Sequence, residues 1–173
     1  MRHGAEVNMI SFARNDDALI SADGGQPGMD GKLVVTGAAD HLVKVWSAKD
    51  GKELHAVAGH TSFVHALVCL PDGTCVSGSS ELLRWDLATG KRVAEASVRG
   101  EVSALAASPD GRLLIVLGPF EKTLQLWSLE GQSLEGPIHS ERLDDAPSSA
   151  TFAGPKVVLV GTKGGRILRF AVE

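Results

Sequence analysis

The chain contains no tyrosine, and aromatic side chains make up only 5% of its 173 residues. Its apolar runs are short, and none approaches the roughly 18 residues that a membrane-spanning helix requires. Residues 1–6 also lack the apolar core of a secretory signal peptide. We therefore expect no membrane span, and a location in the cytoplasm or the nucleus follows by default.

The chain contains only two cysteines, one on each side of a short turn. Cross-strand positions around such a turn can come within bridging distance, but a sequence does not fix the geometry that a disulfide needs. We interpret Cys69 and Cys75 as buried, reduced thiols of an intracellular protein. No histidine lies at ligand spacing from them, so we predict no zinc site.

An excess of basic charge is also missing, since the formal net charge is −4 and the pI is about 5.9. This balance argues against direct, non-specific binding of nucleic acid. Hydrophobic residues make up 43% and charged residues 22%, which is typical of a globular protein. The length suits one domain, and the 20 glycines fit many short strands joined by tight turns.

What the chain does have is a repeated unit. Four segments each end in a large aromatic residue, at Trp46, Trp85, Trp127 and Phe170, and these positions are 39, 42 and 43 residues apart. A period of roughly 40–45 residues is typical of propeller blades, each of which is a four-stranded antiparallel sheet. One blade cannot bury both of its faces, so the repeats must stack on one another.

Each segment reads as a series of short strands separated by turns. Pro-Asp-Gly follows the first strand of two segments, at residues 71–73 and 109–111, where proline presets φ and glycine relaxes the last position. The strands are predicted at residues 7–12, 33–36, 42–46 and 53–57, then 63–68, 75–78, 82–86 and 92–96, then 102–106, 113–117 and 123–127, and finally 150–152, 157–161 and 166–170.

These units predict an all-β chain that forms one propeller-like domain over residues 1–173. Its blades cover about residues 5–58, 59–99, 100–140 and 146–173, and the last lacks its outer strand. Propellers typically close with about 4–8 blades, so we expect an open or partial ring with unpaired strand edges. Two hypotheses follow: a second chain completes a larger ring, or the chain is a truncated product of marginal stability.

The first segment contains one irregular stretch. Residues 18–23 and 33–38 both read as its second strand, and residues 24–31 between them are too rich in glycine and proline for regular structure. We interpret this stretch as a surface loop insertion. The alternative is an extra strand or a fault in the gene prediction.

The residues around the aromatic anchors resemble the WD-repeat family of β-propellers, and the resemblance covers nearly the whole chain. The strongest match is Gly59-His60-Thr61 leading into Phe63. Blades of that family are held by a hydrogen-bonded set: Gly-His before the first strand, Ser or Thr in the second, Asp in the next turn and Trp in the third. The resemblance implies that this set includes Thr36, Asp40, Trp46, His60, Ser77, Trp85 and Trp127. Such a set is physically reasonable, because a buried indole N–H and a buried imidazole both need partners.

Three segments depart from this pattern. Asp40 lies six residues before Trp46, but Glu81 lies only four before Trp85, which shortens that turn. In the third segment Leu117 and Glu121 occupy the Ser/Thr and Asp places, and no Gly-His precedes the segment. In the fourth segment Val160, Gly164 and Phe170 replace the Ser/Thr, Asp and Trp positions. Packing must hold those blades without the hydrogen-bond set.

No arrangement of catalytic or metal-binding residues stands out. Six histidines occur, but none pairs with another histidine or a cysteine in a metal-ligand motif, so we expect structural or surface roles and no metal. We place His41 in a turn, His55 in an outer strand, His60 in the hydrogen-bond set, His65 in a first strand, and His3 and His139 in segments that lead into blades.

The remaining candidates also read as structure. Residues 161–165 lack the spacing of a phosphate-binding loop and predict a hairpin turn. Asp144 and Asp145, beside Glu141, indicate a solvated acidic loop rather than a cation site. We therefore predict no enzyme and no cofactor. A propeller enzyme of the lactonase or quinoprotein type is an alternative by analogy, since those propellers also use Pro-Asp-Gly turns.

Stacked blades present rigid loops on two rims, which suit the docking of proteins. We predict a non-catalytic scaffold that binds other proteins, and the resemblance makes Phe63 and Glu101 candidate partner contacts. Phenylalanine is usually buried, so packing of Phe63 within the blade is the favoured interpretation. Residues 59–64, 83–86 and 121–127 are also similar to the WD-repeat partner subunit of the tRNA N7-guanine methyltransferase, which is an alternative role.

Overall fold

A computed structural model of the protein describes residues 7–11 and 33–172. These residues form 15 β-strands, and no helix that could cross a lipid bilayer occurs among them. The strands are β1 (Val7–Ser11), β2 (Leu33–Ala38), β3 (Leu42–Ser47), β4 (Glu53–Ala58), β5 (Ala66–Cys69), β6 (Thr74–Gly78), β7 (Glu81–Asp86), β8 (Arg92–Ser97), β9 (Ala104–Ala107), β10 (Leu113–Gly118), β11 (Thr123–Ser128), β12 (Glu135–Arg142), β13 (Pro147–Phe152), β14 (Val157–Thr162) and β15 (Ile167–Ala171). The irregular stretch predicted at residues 24–31 lies outside the described residues, as does the candidate strand at 18–23.

The strands pair into four antiparallel sheets that follow one another along the chain. Blade 1 holds β1 to β4, blade 2 holds β5 to β8, blade 3 holds β9 to β12, and blade 4 holds β13 to β15. Strand order within each sheet follows chain order, so each blade is a simple meander. The innermost strands β1, β5, β9 and β13 contact one another in succession, as in blades set around an axis. The prediction of an all-β propeller-like fold with an incomplete last blade is confirmed, and the ring is not closed.

The Pro-Asp-Gly turn between β5 and β6 forms as predicted. Gly73 has a φ of 82°, a conformation that glycine adopts without a steric penalty. Its N–H donates to the carbonyl of Leu70 at 3.2 Å. The carboxylate of Asp72 accepts hydrogen bonds from the N–H and the hydroxyl of Thr74 at 3.0 and 2.7 Å. This turn therefore fixes the register of the first hairpin in blade 2.

Aliphatic side chains pack between successive blades in three separate cores. The first core joins blades 1 and 2, and consists of Val35, Val43, Val45, Val64, Leu67, Cys75 and Leu87. The second joins blades 2 and 3 around Val76, Leu82, Leu114, Val116 and Trp127. The third joins blades 3 and 4 around Ile115, Leu117, Leu126, Phe152, Val158 and Val160. Burial of one such aliphatic side chain contributes about 1.5–3 kcal/mol, so these cores dominate the stability of the stack.

Two glycines allow the blades to approach closely. A Cβ atom at Gly37 would lie 2.5 Å from Val64 Cγ1, and one at Gly78 would lie 2.5 Å from Val102 Cγ1. In both cases the glycine is in the second strand of one blade and the valine leads into the next blade. Any larger residue at these two positions would push the neighbouring blade away.

A buried arginine joins blades 2 and 3. Arg84 on β7 is almost fully buried, and its guanidinium donates to Asp72 Oδ2 at 2.6 Å and to Thr74 Oγ1 at 3.0 Å within its own blade. It also donates across the interface to the carbonyl oxygens of Ser133 at 2.8 Å and Leu129 at 3.4 Å. The charge is therefore satisfied from both blades, which makes its burial tolerable.

Because each sheet is a meander, its connections alternate between two rims. The upper rim carries the loops between blades and the turns between second and third strands, at residues 39–41, 59–65, 79–80, 98–103, 119–122, 143–146 and 163–166. The lower rim carries the other turns, at residues 48–52, 70–73, 87–91, 108–112, 129–134 and 153–156.

We expect Arg84→Ala to lower the free energy of unfolding by roughly 2–4 kcal/mol, because it leaves two carbonyl groups and a carboxylate without their donor. Urea unfolding followed by tryptophan fluorescence measures this change. Arg99→Ala, which truncates an exposed arginine of the upper rim, is the matched control and should shift stability by less than about 0.5 kcal/mol. Equal stability of the two variants would contradict the inferred role of Arg84.

Candidate functional site

Blade 2 contains a complete hydrogen-bond set. The hydroxyl of Ser77 accepts from the indole N–H of Trp85 at 2.7 Å and lies 2.6 Å from Nε2 of His60. The other ring nitrogen of His60, Nδ1, lies 2.8 Å from Glu81 Oε1. Glu81 also accepts from the backbone N–H and the hydroxyl of Thr61, both at 2.9 Å. The set thus links the loop before the blade to its second and third strands.

The protonation of this set follows from its surroundings. Burial lowers the pKa of His60, although the hydrogen bond with Glu81 opposes that effect. Burial raises the pKa of Glu81, but hydrogen bonds from the Thr61 N–H and from His60 more than reverse this, and the net shift is downward. A neutral His60 donates from Nδ1 to the Glu81 carboxylate and accepts at Nε2 from Ser77, so every polar atom has a partner.

The same three side chains, Ser77, His60 and Glu81, have the order of a hydrolase triad. Ser77 is 0% exposed, however, and its oxygen already accepts the indole N–H of Trp85. A nucleophile must reach its substrate, and this hydroxyl faces only protein atoms. The arrangement therefore holds the blade together and gives Ser77 no catalytic access.

Blade 1 forms part of the predicted set. The indole N–H of Trp46 donates to Thr36 Oγ1 at 2.9 Å, and both side chains are buried. Asp40 accepts at Oδ1 from the backbone N–H of Leu42 at 3.1 Å, which stabilises the turn before β3. Both roles agree with those implied by the resemblance.

Blade 3 departs from the set in a way that the spacing of residues did not predict. The indole N–H of Trp127 donates to Gln125 Oε1 at 3.0 Å. Trp127 pairs with Leu114, so Val116 rather than Leu117 lies on the same face as the indole. Leu117 points instead into the core shared with blade 4. Its assignment to the Ser/Thr position was therefore wrong by one residue.

Blade 4 is held by packing, as predicted. Phe170 pairs with Val158, and both belong to the core shared with blade 3. The carboxylate of Asp145 accepts from the backbone N–H groups of Ala146 at 2.8 Å and Gly164 at 2.7 Å, and a hydrogen bond from Thr162 lowers its pKa most. This aspartate organises a turn. Within residues 7–11 and 33–172, no three His, Cys, Asp or Glu side chains are grouped to hold a metal ion.

The two cysteines lie directly opposite each other across the hairpin of β5 and β6. Both are free thiols, and Cys75 belongs to the core between blades 1 and 2. Burial raises the pKa of the Cys69 thiol well above its usual value. Cys75 is buried as predicted, whereas Cys69 is only half-buried by solvent accessibility.

Two other histidines have clear positions. His55 lies in β4, the outer strand of blade 1, and its Nε2 lies 3.0 Å from the carbonyl of Ala88. His139 was expected in a segment leading into blade 4. That expectation was wrong, because His139 lies in β12, which extends as an exposed outer strand to Arg142.

The upper rim carries exposed aromatic side chains. Phe63 is 48% exposed, so the favoured interpretation that it packs within the blade was wrong. Its ring meets the rings of His41 and His65 edge-on, with centroids 5.7 and 6.1 Å away. Phe120, in the turn between β10 and β11, is 76% exposed.

A cavity of about 300 Å³ opens beside these aromatic residues. Its lining consists of His65, Glu101, Val102, Ser103, Pro119 and Phe120. The carboxylate of Glu101 forms no ion pair with any side chain of the described ranges. Of the two predicted contacts, Phe63 lies next to this cavity through His65, and Glu101 forms part of its wall. We call the cavity and the two phenylalanines the rim site.

Relatives in known families agree with this geometry. Residues 28–47 and 51–86 match the family model "WD domain, G-beta repeat". Over 102 residues the chain is 31% identical to "Small ribosomal subunit protein RACK1y" of Oryza sativa subsp. japonica. Both matches support the resemblance to the WD-repeat family.

The alignment with the rice protein covers only part of each chain. The aligned segment is 57% of the chain and 30% of the rice protein. Among solved structures, a chain of the mitotic checkpoint complex has a TM-score of 0.77 at 19% identity, over 99% of this chain and 50% of that one. The computationally designed Ika4 protein also has a TM-score of 0.77, at 22% identity, over 100% of this chain and 95% of that one. At these identities the likeness concerns the fold alone.

These matches favour neither alternative to the scaffold prediction, that is, neither the tRNA methyltransferase subunit nor the lactonase or quinoprotein enzyme. The sequence reasoning compared Glu81 with Asp40 but left it out of the predicted hydrogen-bond set, and it did not consider Gln125. Glu81 lies four residues after Ser77, just as Asp40 lies four after Thr36, so counting from the second strand would have found it. Gln125 precedes Trp127 by two residues, and on a strand this spacing places both side chains on one face.

We expect Ser77→Ala to lower the free energy of unfolding by about 2–3 kcal/mol, because it leaves the Trp85 N–H and Nε2 of His60 without a partner. Ser79→Ala is the matched control in the same blade. Its hydroxyl is equally buried but has no hydrogen-bond partner, so its removal should be neutral or slightly stabilising. Chemical denaturation of both variants measures the difference, and a loss of similar size in both would contradict the assignment.

Proposed function

We propose that this chain is a non-catalytic scaffold that binds other proteins through its upper rim. The observation that carries the proposal is the rim site, where exposed Phe120 lines a cavity that contains Glu101 and exposed Phe63 contacts the lining residue His65. Aromatic side chains are enriched among the residues that dominate binding energy at protein interfaces. We further propose a cytoplasmic or nuclear location and no direct contact with nucleic acid, in keeping with a net charge of −4.

The upper rim is rigid enough for such a role. The loop before blade 2 is tied to blade 1 by a hydrogen bond from Val64 N–H to Ala38 O at 3.2 Å. The corresponding bond before blade 3 joins Val102 to Ser79 at 2.8 Å. Loops that are already ordered lose little conformational entropy on binding, so the rim can bind partners without first folding.

We expect simultaneous Phe63→Ala and Phe120→Ala substitutions to abolish the recovery of partner proteins without unfolding the chain. Affinity purification with quantitative mass spectrometry compares this variant with the wild type. Gln132→Ala, at an exposed position of the lower rim, is the control and should retain the same partners. Unchanged partners in the double variant, or hydrolase activity of the pure wild-type protein, would refute the proposal.

A second interaction is favoured by the open face of blade 4, which consists of Ser149, Thr151, Val157, Leu159, Ile167, Arg169 and Ala171. Ile167, three residues before the aromatic anchor, is 76% exposed. At the same position in the other blades, Val43 and Leu82 are 0% exposed and Leu124 is 4% exposed, because the next blade covers them. An apolar side chain of this size gains about 1.5–3 kcal/mol on burial, so a covering blade would be stabilising.

The open face also carries an arginine at the position equivalent to Arg84 of blade 2. Arg169 directly precedes Phe170, as Arg84 directly precedes Trp85. Arg84 reaches carbonyl oxygens of the following blade, and Arg169 is exposed on the face where such a blade would lie. We propose that residues 1–173 form one propeller unit and that a second copy of the chain covers this face, since two copies supply about the eight blades of a large propeller.

We expect Ile167→Lys to convert a dimer into a monomer, which light scattering coupled to size-exclusion chromatography measures directly. Ile138→Lys is the matched control, because Ile138 is also strongly exposed but lies on the outer strand of blade 3. That variant should remain dimeric. A wild-type protein that is monomeric at all concentrations and resists heating would refute the proposed pairing.

A further inference from the structure

Three buried side-chain oxygen atoms lack a hydrogen-bond partner within the described residues, and two of them lie near Glu101, a lining residue of the rim site. The three atoms are Ser79 Oγ, Glu121 Oε2 and Thr123 Oγ1. The carbonyl of Ser79 accepts from the N–H of Val102, which lines the cavity, and Glu121 directly follows the lining residue Phe120. Unsatisfied buried polar atoms are rare in folded proteins, so the two beside Glu101 indicate a missing partner.

Gly118 shows that two of these atoms, Glu121 Oε2 and Thr123 Oγ1, lie close to the backbone carbonyl of Glu101. A Cβ atom at Gly118 would be 2.7 Å from Thr123 Oγ1, 3.2 Å from Glu121 Oε2 and 3.7 Å from the carbonyl of Glu101. Three oxygen atoms therefore surround one point behind the cavity wall. The wall itself carries the carboxylate of Glu101. Oxygen acceptors and negative charge dominate this part of the rim.

The cause is the loss of the histidine in blade 3. In blade 2 the carboxylate of Glu81 is satisfied by His60 and Thr61, which precede the blade. Glu121 lies in the corresponding turn of blade 3, but the loop before that blade presents Gly100, against which the Glu121 carboxylate packs directly. Glu121 therefore has no equivalent donor from that loop.

Neighbouring cations do not compensate for this charge. The ammonium group of Lys122 donates to the carbonyl of Asp144 at 3.0 Å, on the side towards blade 4. Arg99, in the loop before blade 3, forms no ion pair with Glu101 or Glu121 in the described part of the chain. The rim site thus has Glu101 in its wall and Glu121 nearby, both without an ion pair in the described residues, beside an exposed aromatic ring.

We propose that the rim site binds a cationic side chain, a lysine or an arginine, from a partner protein. The inference rests on the proposed scaffold function and specifies the chemistry of its partner. Glu101 pairs with the cation at the cavity wall, and the carboxylate of Glu121 behind it adds a favourable field that is only weakly screened. The ring of Phe120 covers the cation or its aliphatic stem, which favours a cationic over an anionic ligand.

Three short peptides test this directly: acetyl-Gly-Arg-Gly-amide, acetyl-Gly-Lys-Gly-amide and the uncharged acetyl-Gly-norleucine-Gly-amide. Titrations followed by heteronuclear NMR should show that the two cationic peptides shift the resonances of Ser103 and Phe120, while the norleucine peptide does not. Single side chains bind weakly, so we expect dissociation constants on the order of 1 mM. Glu101→Gln should weaken binding of the arginine peptide about tenfold, whereas Glu130→Gln on the lower rim should leave it unchanged.

Equal binding of the norleucine peptide, or an affinity that does not change in Glu101→Gln, would overturn the proposal. The result also separates this inference from the scaffold function itself. If the phenylalanine variant loses its protein partners but the cavity does not distinguish arginine from norleucine, the scaffold stands and the cation site falls. If the arginine peptide binds with the expected dependence on Glu101 but the phenylalanine variant still recovers the same partner proteins, the cation site stands. The proposed docking role of the rim is then refuted.

Discussion

The burial of aliphatic side chains between neighbouring sheets is the interaction on which the molecule depends. Each blade has two apolar faces, and no single sheet of this size can shield both from water. The three inter-blade cores solve this problem for every face that has a neighbour. The other inter-blade features can form only when the blades are in contact. These are the contacts of the buried arginine, the close approach at the two glycines, and the hydrogen bonds of the loops between blades.

The hydrogen-bond set contributes to a different degree in each blade. It is complete in blade 2, where His60, Ser77, Trp85 and Glu81 satisfy one another. In blade 3 Gln125 substitutes for the hydroxyl that Trp127 requires, and blade 4 replaces the tryptophan with phenylalanine, which needs no partner. The requirement is thus to leave no indole N–H unpaired in the core, and several residue types meet it.

The sequence was sufficient for features whose cause is local. The spacing of the aromatic anchors and the Pro-Asp-Gly turns reports strand periodicity and backbone preference, and together they predicted most of the strands. The outer strand of blade 3, β12, was not among the predicted ranges. Sequence reasoning did not predict features that depend on contacts between residues far apart in the chain. The partners of Arg84 in blade 3 lie 45 and 49 residues away, and the exposure of Phe63 depends on how the loop is held against blade 1, which no local pattern encodes.

The contacts of Arg84 bear on how freely this chain can evolve. Its guanidinium binds the carbonyl oxygens of Leu129 and Ser133, and carbonyl groups are common to all residue types. The intervening residues Glu130 and Gln132 can therefore vary in identity, provided that the backbone keeps its path, whereas Gly131 has a φ of 60° that favours glycine. Selection at this junction therefore acts on the backbone conformation, which a comparison of residue identities alone would not detect.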